Sequence, residues 1–165
     1  MRTTDRIIDE TDLQILGILQ GAARTSNAEI ARQVDMAPSA VLERIRKLEE
    51  SGVICGYETR VNPETLGLRL LAFVFVRTND STHSSHTEEV LAAIPEVQEV
   101  HHIAGEDCFI VKVRTSTPQA LGRLLRETIG PLESVVATRT TIVLETQKES
   151  GQLPLNIPVV EESHA

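Results

Sequence analysis

The sequence predicts an α+β protein in which an N-terminal winged helix-turn-helix precedes a C-terminal ferredoxin-like βαββαβ domain. Residues 9–51 contain three helical patterns, with a tight turn between the second and the third. From residue 70 onward, strand-like and helical stretches follow the order β-α-β-β-α-β. The chain has 165 residues, 41% of them hydrophobic, which is enough for two small cores.

The first two helices begin at side chains that favour helix N-termini. Asp9 precedes a helix that is predicted to extend to about Ala22. Ser26 precedes a short second helix, and Glu29 three residues later completes the form of a capping box. The spacing therefore predicts two helical segments before the turn at residues 35–37.

The third helix is predicted from Pro38, a favoured first helical residue, to Ser51, with Gly52 as its C-terminal cap. The inward stripe is predicted at Val41, Leu42, Ile45 and Leu48. The other side holds the densest basic cluster of the chain, Arg44, Arg46 and Lys47. Residues 53–61 then read as a short strand or wing.

Two short helices joined by a tight turn, the second with a basic face, are typical of a helix-turn-helix whose second helix enters the DNA major groove. Arg44 can meet a guanine edge or a phosphate, and Glu43 can accept from a cytosine amino group. The side chains suited to phosphates are those of Arg46, Lys47 and Arg32 and the hydroxyl of Ser26. The DNA-contacting candidates are Ser26, Arg32, Ser39, Ala40, Glu43, Arg44, Arg46 and Lys47. An ordinary solvated face on a three-helix bundle is the alternative.

The second domain is defined by alternating element patterns. They are strand Leu70–Thr78, helix His83–Ile94, strands Val97–Ala104 and Cys108–Arg114, helix Pro118–Ile129 and strand Val135–Thr146. Leu70–Thr78 is apolar on both faces, although helices cover only one face of such a sheet, so a second subunit is the simplest cover for the other. The predicted domains are 1–61 and 70–147, with a connector at 62–69 and an extended or mobile tail at 148–165.

The net charge of −8 argues against a protein that coats nucleic acid in bulk. The charge is uneven, however: residues 1–61 carry −2 and residues 62–165 carry −6. No apolar run approaches the roughly 20 residues of a membrane span, and the first residues lack the apolar core of a secretory signal. These patterns predict a cytoplasmic protein.

Several stretches resemble the leucine-responsive regulatory protein/AsnC (Lrp/AsnC) family of transcription regulators. In the first domain they are IDETDLQIL, ARTSNAEIARQV, PSAVLERIRKLEESGVI and GY. In the second they are LAFVFV, IPEVQEVHHIAGEDCFIVKV and ATRTTIVLET. The resemblance covers about residues 7–147, and both domains occur in the order and spacing of the family.

The resemblance implies a sequence-specific DNA-binding regulator that dimerises through its second domain, often forms octamers and binds amino-acid effectors between dimers. The implied effector residues are Ile103, Ala104, Gly105, Glu106, Asp107 and Cys108, with Thr138 and Thr140 nearby on the last strand. Gly105 allows a tight turn that exposes N–H groups to a carboxylate. Glu106 or Asp107 can pair with an α-ammonium, although a plain turn with solvated acids is equally compatible.

The sequence departs from the family pattern at two positions. Ala37 stands where the family usually has a serine that caps the third helix, and a missing cap costs roughly 1 kcal/mol. Cys108 stands where the family often has aspartate, so the identity of the effector, and whether there is one, stays open. Cys55 and Cys108 match no metal pattern and are interpreted as small apolar fillers, with a redox role as the alternative.

Two other function classes remain open at this stage. Siroheme decarboxylases resemble the same two-domain architecture, and the adjacent His101 and His102 would be the residues to suspect. A pure interaction module is the other alternative. The sequence holds no catalytic motif such as GxSxG, a Walker loop or HExxH, so we expect no enzyme activity, cofactor or metal.

Overall fold

The computed structural model describes residues 8–79 and 85–156, and these form two compact units. One unit comprises the chain up to Arg60 together with the segment from Glu149, and the other comprises Val61–Lys148. The predicted connector at 62–69 thus belongs to the second unit. The predicted helix start at His83 and the tail beyond residue 156 lie outside the described residues. No helix within residues 8–79 and 85–156 is long and apolar enough to cross a membrane.

The first unit contains three helices, α1 (Glu10–Gly21), α2 (Asn27–Gln33) and α3 (Pro38–Glu50). Asp9 caps α1 by accepting from the Asp12 N–H at 2.8 Å, and Ser26 caps α2 by accepting from the Glu29 N–H at 3.2 Å. Ala37 provides no side-chain cap for α3, as its missing hydroxyl predicts.

The four residues between α2 and α3 make the tight turn. Asp35 adopts a φ of 51°, a left-handed conformation that Asp tolerates better than most residues. The Met36 N–H then returns to the Ala31 carbonyl at 3.0 Å, which closes the end of α2. The predicted helix-turn-helix is confirmed by this geometry.

The first unit differs from two expectations, the inward-facing Leu42 and the strand that is one of the two alternatives, strand or wing, for residues 53–61. Leu42 was expected to face inward, but it is 55% exposed, while Val41, Ile45 and Leu48 pack with Ile15 in the core. Residues 53–61 form no strand. A lone strand has no partner for its backbone N–H and C=O groups, and none of the described strands lies in this unit.

The second unit contains β1 (Leu70–Thr78), α4 (Ser85–Ala92), β2 (Val97–His102), β3 (Phe109–Thr115), α5 (Pro118–Leu124) and β4 (Val135–Ile142). The sheet has the order β2-β3-β1-β4 and every pair is antiparallel, which confirms the ferredoxin-like βαββαβ prediction. β1 has the predicted bounds, whereas β4 ends four residues before its predicted end.

The strands of this sheet alternate between two unlike faces. One face carries the core of the unit, including Val74, Val76, Val111 and Val113, all fully buried. The opposite face, called here the open face, is only partly covered within one chain. Register assigns to it the half-buried Phe73 and Phe75 of β1 and Ile110 and Lys112 of β3, together with the exposed Arg139 and Thr141 of β4.

The predicted tail is held in place where the structure describes it. We call residues 149–156 the strap. The Gln20 side chain of α1 bonds to both backbone groups of Leu153, accepting from its N–H at 2.7 Å and donating to its carbonyl at 3.1 Å. The Leu155 side chain lies against Gly17, and Arg60 donates to the Glu149 carbonyl at 2.6 Å. The strap forms neither helix nor strand and packs on α1.

The helix predicted at Pro118–Ile129 changes its winding after Leu124. Residues Leu125–Ile129 form a π-helical turn, which the Gly130 N–H closes by donating to the Leu125 carbonyl at 2.8 Å. A Cβ added at Gly130 would stand 2.8 Å from that same carbonyl oxygen, far inside van der Waals contact. A glycine at this position is therefore a steric requirement of the turn.

We expect Gly130→Ala to lower the free energy of unfolding by about 1–3 kcal/mol, because the backbone must shift to relieve the overlap. Urea denaturation followed by circular dichroism measures the loss. Gly21→Ala is the matched control, since a Cβ there meets nothing within 4 Å. Equal stability of the two variants would show that the π-helical turn accommodates the added methyl group without a loss of unfolding free energy.

Candidate DNA-binding face and effector loop

The outward side of α3 presents most of the polar residues predicted to meet DNA. Ser39, Glu43, Arg46 and Lys47 are exposed, and Ala40 is half-buried near the start of the helix. The helical period explains this, because Val41, Ile45 and Leu48 occupy the opposite side in the core. A continuous polar strip therefore follows the tight turn, in the position from which a helix-turn-helix reads DNA.

The cations on this strip already have carboxylate partners on the same helix. Arg46 lies 3.5 Å from Glu43 and 3.6 Å from Glu50, and Lys47 lies 3.6 Å from Glu43. All four side chains are about half exposed or more. Exposed ion pairs of this kind contribute about 0–1 kcal/mol. A phosphate can therefore replace the carboxylates at little cost.

Arg44 lies in a different environment. Its Nη1 donates to Asp9 at 2.7 Å and to Asp12 at 2.9 Å, and its side chain is only 28% exposed. Asp12 is almost completely buried. The sequence-based assignment of Arg44 to a base edge or a phosphate overlooked these partners, because they lie more than 30 positions away in the chain. A revised role is proposed below.

The same contacts alter the acid–base behaviour of Asp9. Desolvation is the largest single influence and acts to raise the pKa of Asp9, but hydrogen bonds from the Asp12 N–H and from Arg44, with the arginine charge, together lower it. A carboxyl with a lowered folded-state pKa stabilises the fold above its unfolded pKa of about 3.9. That contribution is lost as the pH falls through the lower, folded-state value.

The two predicted phosphate contacts of α2 are both exposed. Ser26 uses its oxygen as an acceptor in the helix cap, so its hydroxyl hydrogen is still able to donate. Arg32 is 76% exposed and pairs with Glu29 on the same helix. The Glu29 carboxylate bonds to Arg32 and Gln33, which differs from the capping-box geometry that the sequence predicts.

Leu42 is an exposed residue on α3 that the sequence analysis placed inward. It stands three residues after Ser39 and four before Arg46, so it shares their side of the helix. Tyr57, after the end of α3, donates to Glu49 at 2.9 Å. Burial, then the Glu49 hydrogen bond and charge, raise the pKa of Tyr57 to about 12, so its hydroxyl stays protonated at neutral pH.

The predicted effector loop, residues 103–108, connects β2 with β3. The Ile103 N–H donates to the Cys108 carbonyl at 2.9 Å, and the Cys108 N–H donates to the Val76 carbonyl of β1 at 2.9 Å. Gly105 has a φ of 144°, which explains the glycine. Ala104, Gly105 and Glu106 are exposed at the tip, whereas Ile103, Asp107 and Cys108 are half-buried.

The partner of the effector loop on β4 is Arg139. Asp107 bonds to Arg139 at 3.0 Å, and the Arg139 guanidinium lies 3.9 Å from the centre of the Phe75 ring. Thr138 and Thr140 were expected here. Their register partners are the buried Val76 and Val74, so they belong to the other face of the sheet. Within the described ranges, no side-chain hydrogen bond joins either threonine to this loop.

His101 and His102 point to opposite faces, as adjacent strand residues must. His101 contacts Glu99 at 3.3 Å on an exposed surface, and the His102 ring lies 5.2 Å from that of the buried Phe109. A hydrogen bond from Lys112, followed by a weaker contribution from His101, lowers the pKa of Glu99. Over residues 8–79 and 85–156 no group of three or more His, Cys, Asp or Glu side chains is placed to hold a metal.

The two cysteines are not paired with one another. Cys55 is exposed and its Sγ contacts the Gly52 carbonyl at 3.4 Å, while Cys108 is half-buried in the effector loop.

Comparison with protein families assigns both units. Residues 8–54 match the winged helix-turn-helix DNA-binding family, and residues 71–153 match the Lrp/AsnC ligand binding domain. The chain belongs to the Lrp/AsnC family of transcriptional regulators. The helix-turn-helix and the ferredoxin-like unit are therefore its DNA-binding and ligand-binding domains, which confirms the family and function that the sequence predicts.

Curated relatives match almost the whole chain, and all those named here are transcriptional regulators. The HTH-type transcriptional regulator FL11 of Pyrococcus horikoshii is 38% identical over 90% of this chain and 97% of its own length. The leucine-responsive regulatory protein of Escherichia coli is 35% identical over 88% of this chain and 90% of its own length.

Solved structures agree with this assignment. Escherichia coli AsnC aligns with a TM-score of 0.84 and 28% identity, covering 90% of this chain and 100% of its own. A transcriptional regulator from Neisseria meningitidis in complex with L-methionine has a TM-score of 0.85 and 28% identity, covering 90% and 97%. A feast or famine regulatory protein from M. tuberculosis complexed with L-methionine has a TM-score of 0.81 and 33% identity, covering 88% and 98%.

The Asp9 geometry predicts a pH-dependent contribution to stability. Asp9→Asn keeps the cap of α1 but removes the charge that faces Arg44. We expect it to be less stable than the wild type at pH 7, with the difference disappearing as the pH falls below about 4. Urea denaturation at a series of pH values measures this. Glu58→Gln, at an exposed position in the same unit, is the control; a difference that persists at pH 2 would exclude the ionic explanation.

Proposed function

We propose that the protein regulates transcription in the cytoplasm as a homodimer or a larger assembly, that α3 reads the operator, and that an amino-acid effector at the loop 103–108 shifts the population of assemblies. The relatives named above are transcriptional regulators, so an enzymatic role has no support from them. The DNA part and the effector part depend on different observations and are argued separately.

The DNA part is carried by one observation, the exposed polar strip of α3 directly after the tight turn. Ser39, Ala40 and Glu43 occupy the first two turns of the helix, from which side chains reach base edges. Arg46 and Lys47 follow, and together with Arg32 and the Ser26 hydroxyl they suit phosphates. The exposed Leu42 on the same strip suits apolar contact with a thymine methyl group.

The effector part is supported by the polar groups at the effector loop. An amino acid carries an α-carboxylate and an α-ammonium, which need donors and a carboxylate respectively. Ala104, Gly105 and Glu106 are exposed, so the backbone of this turn and the carboxylates of Glu106 and Asp107 offer this chemistry. Two structural neighbours are complexes with L-methionine, which supports the same ligand class for this chain.

The assembly part is supported by the open face of the sheet. Phe73 and Phe75, two of the three phenylalanines of the chain, are half-buried there within one chain. A second copy on this face would remove both rings from water, at about 25 cal/mol for each Å² of apolar surface buried. An effector can then act only through a difference in its affinity for the alternative assemblies.

Arg46→Ala and Lys47→Ala are each expected to weaken binding to a duplex from the promoter of the protein's own gene. Each lost phosphate contact should reduce the slope of log K against log salt concentration by about 0.9. Fluorescence anisotropy across a salt series measures both affinity and slope. Arg123→Ala, an exposed cation on α5 of the ligand-binding domain, is the matched control. Unchanged slopes for both α3 variants would contradict the proposed DNA face.

A thermal-shift screen with L-methionine and the other L-amino acids tests the effector. A ligand that binds only the folded state adds about 2.7 kcal/mol of stability at 100 times its Kd, which raises the Tm by several degrees. We expect Asp107→Asn to reduce the shift and Glu145→Gln, an exposed acid beyond β4, to leave it unchanged. No shift with any amino acid would contradict this ligand class.

A further inference from the structure

The three cations of α3 differ in their surroundings. Arg46 and Lys47 have more than half of their side-chain surface exposed, and their carboxylate partners Glu43 and Glu50 lie on their own helix. Arg44 has 28% of its side chain exposed, and both of its carboxylate partners come from the start of α1. We call Asp9, Asp12 and Arg44 the clamp. The clamp joins two helices, whereas the ion pairs of Arg46 and Lys47 lie within α3.

The position of Arg44 on α3 explains the clamp. Arg44 stands three residues after Val41 and four before Leu48, both fully buried, so the helical period places it at the border of the core side. Asp9 caps α1 and Asp12 follows in its first turn, three residues on, so their carboxylates share one side of that helix. The two sets meet where α1 packs on α3.

The clamp is important because one of its carboxylates, that of Asp12, is buried. The Asp12 side chain is 2% exposed, and a carboxylate removed from water requires a nearby cation and hydrogen bonds. Arg44 supplies both at 2.9 Å. If Arg44 turned toward DNA, Asp12 would lose this cation. The exposed pairs of Arg46 and Lys47 can be exchanged at much lower cost.

The clamp also adds a directional interaction to the hydrophobic core between α1 and α3. Ile15, Leu19, Val41, Ile45 and Leu48 pack there, and hydrophobic attraction has no preferred direction. Charge-assisted hydrogen bonds depend on direction and on distance. A bond from Arg44 to two carboxylates on α1 therefore narrows the range of rotation of α3 about its own axis that the packed side chains still allow.

We propose that Arg44 is a positioning residue, which holds α3 in the rotation that presents Ser39, Ala40 and Glu43 to the major groove and makes no contact with DNA itself. This inference builds on the proposed DNA face. It assigns Arg44 to operator specificity through orientation, and it separates Arg44 from Arg46 and Lys47, the direct phosphate contacts. Asp12 is the fixed end of the clamp, and Asp9 is its exposed end.

The test compares Arg44→Gln, Arg44→Lys, Asp12→Asn and the double variant Asp12→Asn with Arg44→Gln. Each is assayed by fluorescence anisotropy against the promoter duplex and a mixed-sequence duplex across a salt series, at a temperature where it is fully folded. Three quantities are measured: the Tm, the salt slope and the ratio of the two affinities, which reports specificity. Lys47→Gln is the matched control for a direct contact.

We expect Arg44→Gln and Asp12→Asn each to lower the Tm by several degrees, and the double variant to be no worse than either alone, because the two residues act as one unit. Both should reduce the specificity ratio by at least tenfold and leave the salt slope unchanged. Arg44→Lys, which keeps the charge, should recover part of the ratio. Lys47→Gln should lower the slope by about 0.9 and leave the Tm unchanged.

A fall of the slope by the same amount in Arg44→Gln, or tighter binding by Asp12→Asn because it frees Arg44, would overturn the proposal. An unchanged specificity ratio would also overturn it, since the clamp would then serve stability alone. If Arg44→Gln does not fold, Asp9→Asn at the exposed end and Asp12→Asn decide by the same criteria. Failure of the DNA face itself is recognised separately, by an unchanged slope in Lys47→Gln.

Discussion

The central constraint in the ligand-binding domain is that α4 and α5 cover only one face of its four-stranded antiparallel sheet. Valines such as Val74 and Val111 therefore point toward the helices and are buried. The side chains on the other face stay partly exposed to water. Phe73 and Phe75 stand on that face.

The effector loop reaches the same face through Asp107 and Arg139, with the guanidinium over the Phe75 ring. The surface proposed for assembly and the surface proposed for ligand binding thus share a boundary.

The DNA-binding domain presents cations on α3 although the chain as a whole is negatively charged. The net charge is −8, and α3 balances Arg44, Arg46 and Lys47 with Glu43, Glu49 and Glu50. Such a helix has little attraction for phosphates in general. In the proposed binding mode, Arg46 and Lys47 exchange these carboxylates for phosphates, whereas Arg44 stays with Asp9 and Asp12.

Local signals were sufficient for much of the fold. The caps at Asp9 and Ser26 and the proline at position 38 gave the helix starts, and the apolar run of β1 gave that strand with its bounds. The missing cap at Ala37 was equally visible. Each of these features depends on residues that lie within a few positions of one another.

The features that the sequence does not reveal depend on distant residues. The partners of Arg44 and of Arg139 lie more than 30 positions away in the chain, and no local period reveals them. Leu42 was assigned inward because leucines are usually buried, although its neighbours Val41 and Ile45 already fill the core side. The strand expected at 53–61 needs a pairing partner, and a sequence pattern does not show whether one is present.

The strap alters how the two domains are connected. The chain leaves the DNA-binding domain after Arg60, builds the ligand-binding domain, and returns at Glu149, after which Leu153 bonds with Gln20 on α1. The two domains are consequently linked by two covalent crossings and not by a single hinge. A purification tag or fluorescent reporter fused shortly after Asn156 would be attached to the DNA-binding domain, although by position in the sequence it follows the ligand-binding one.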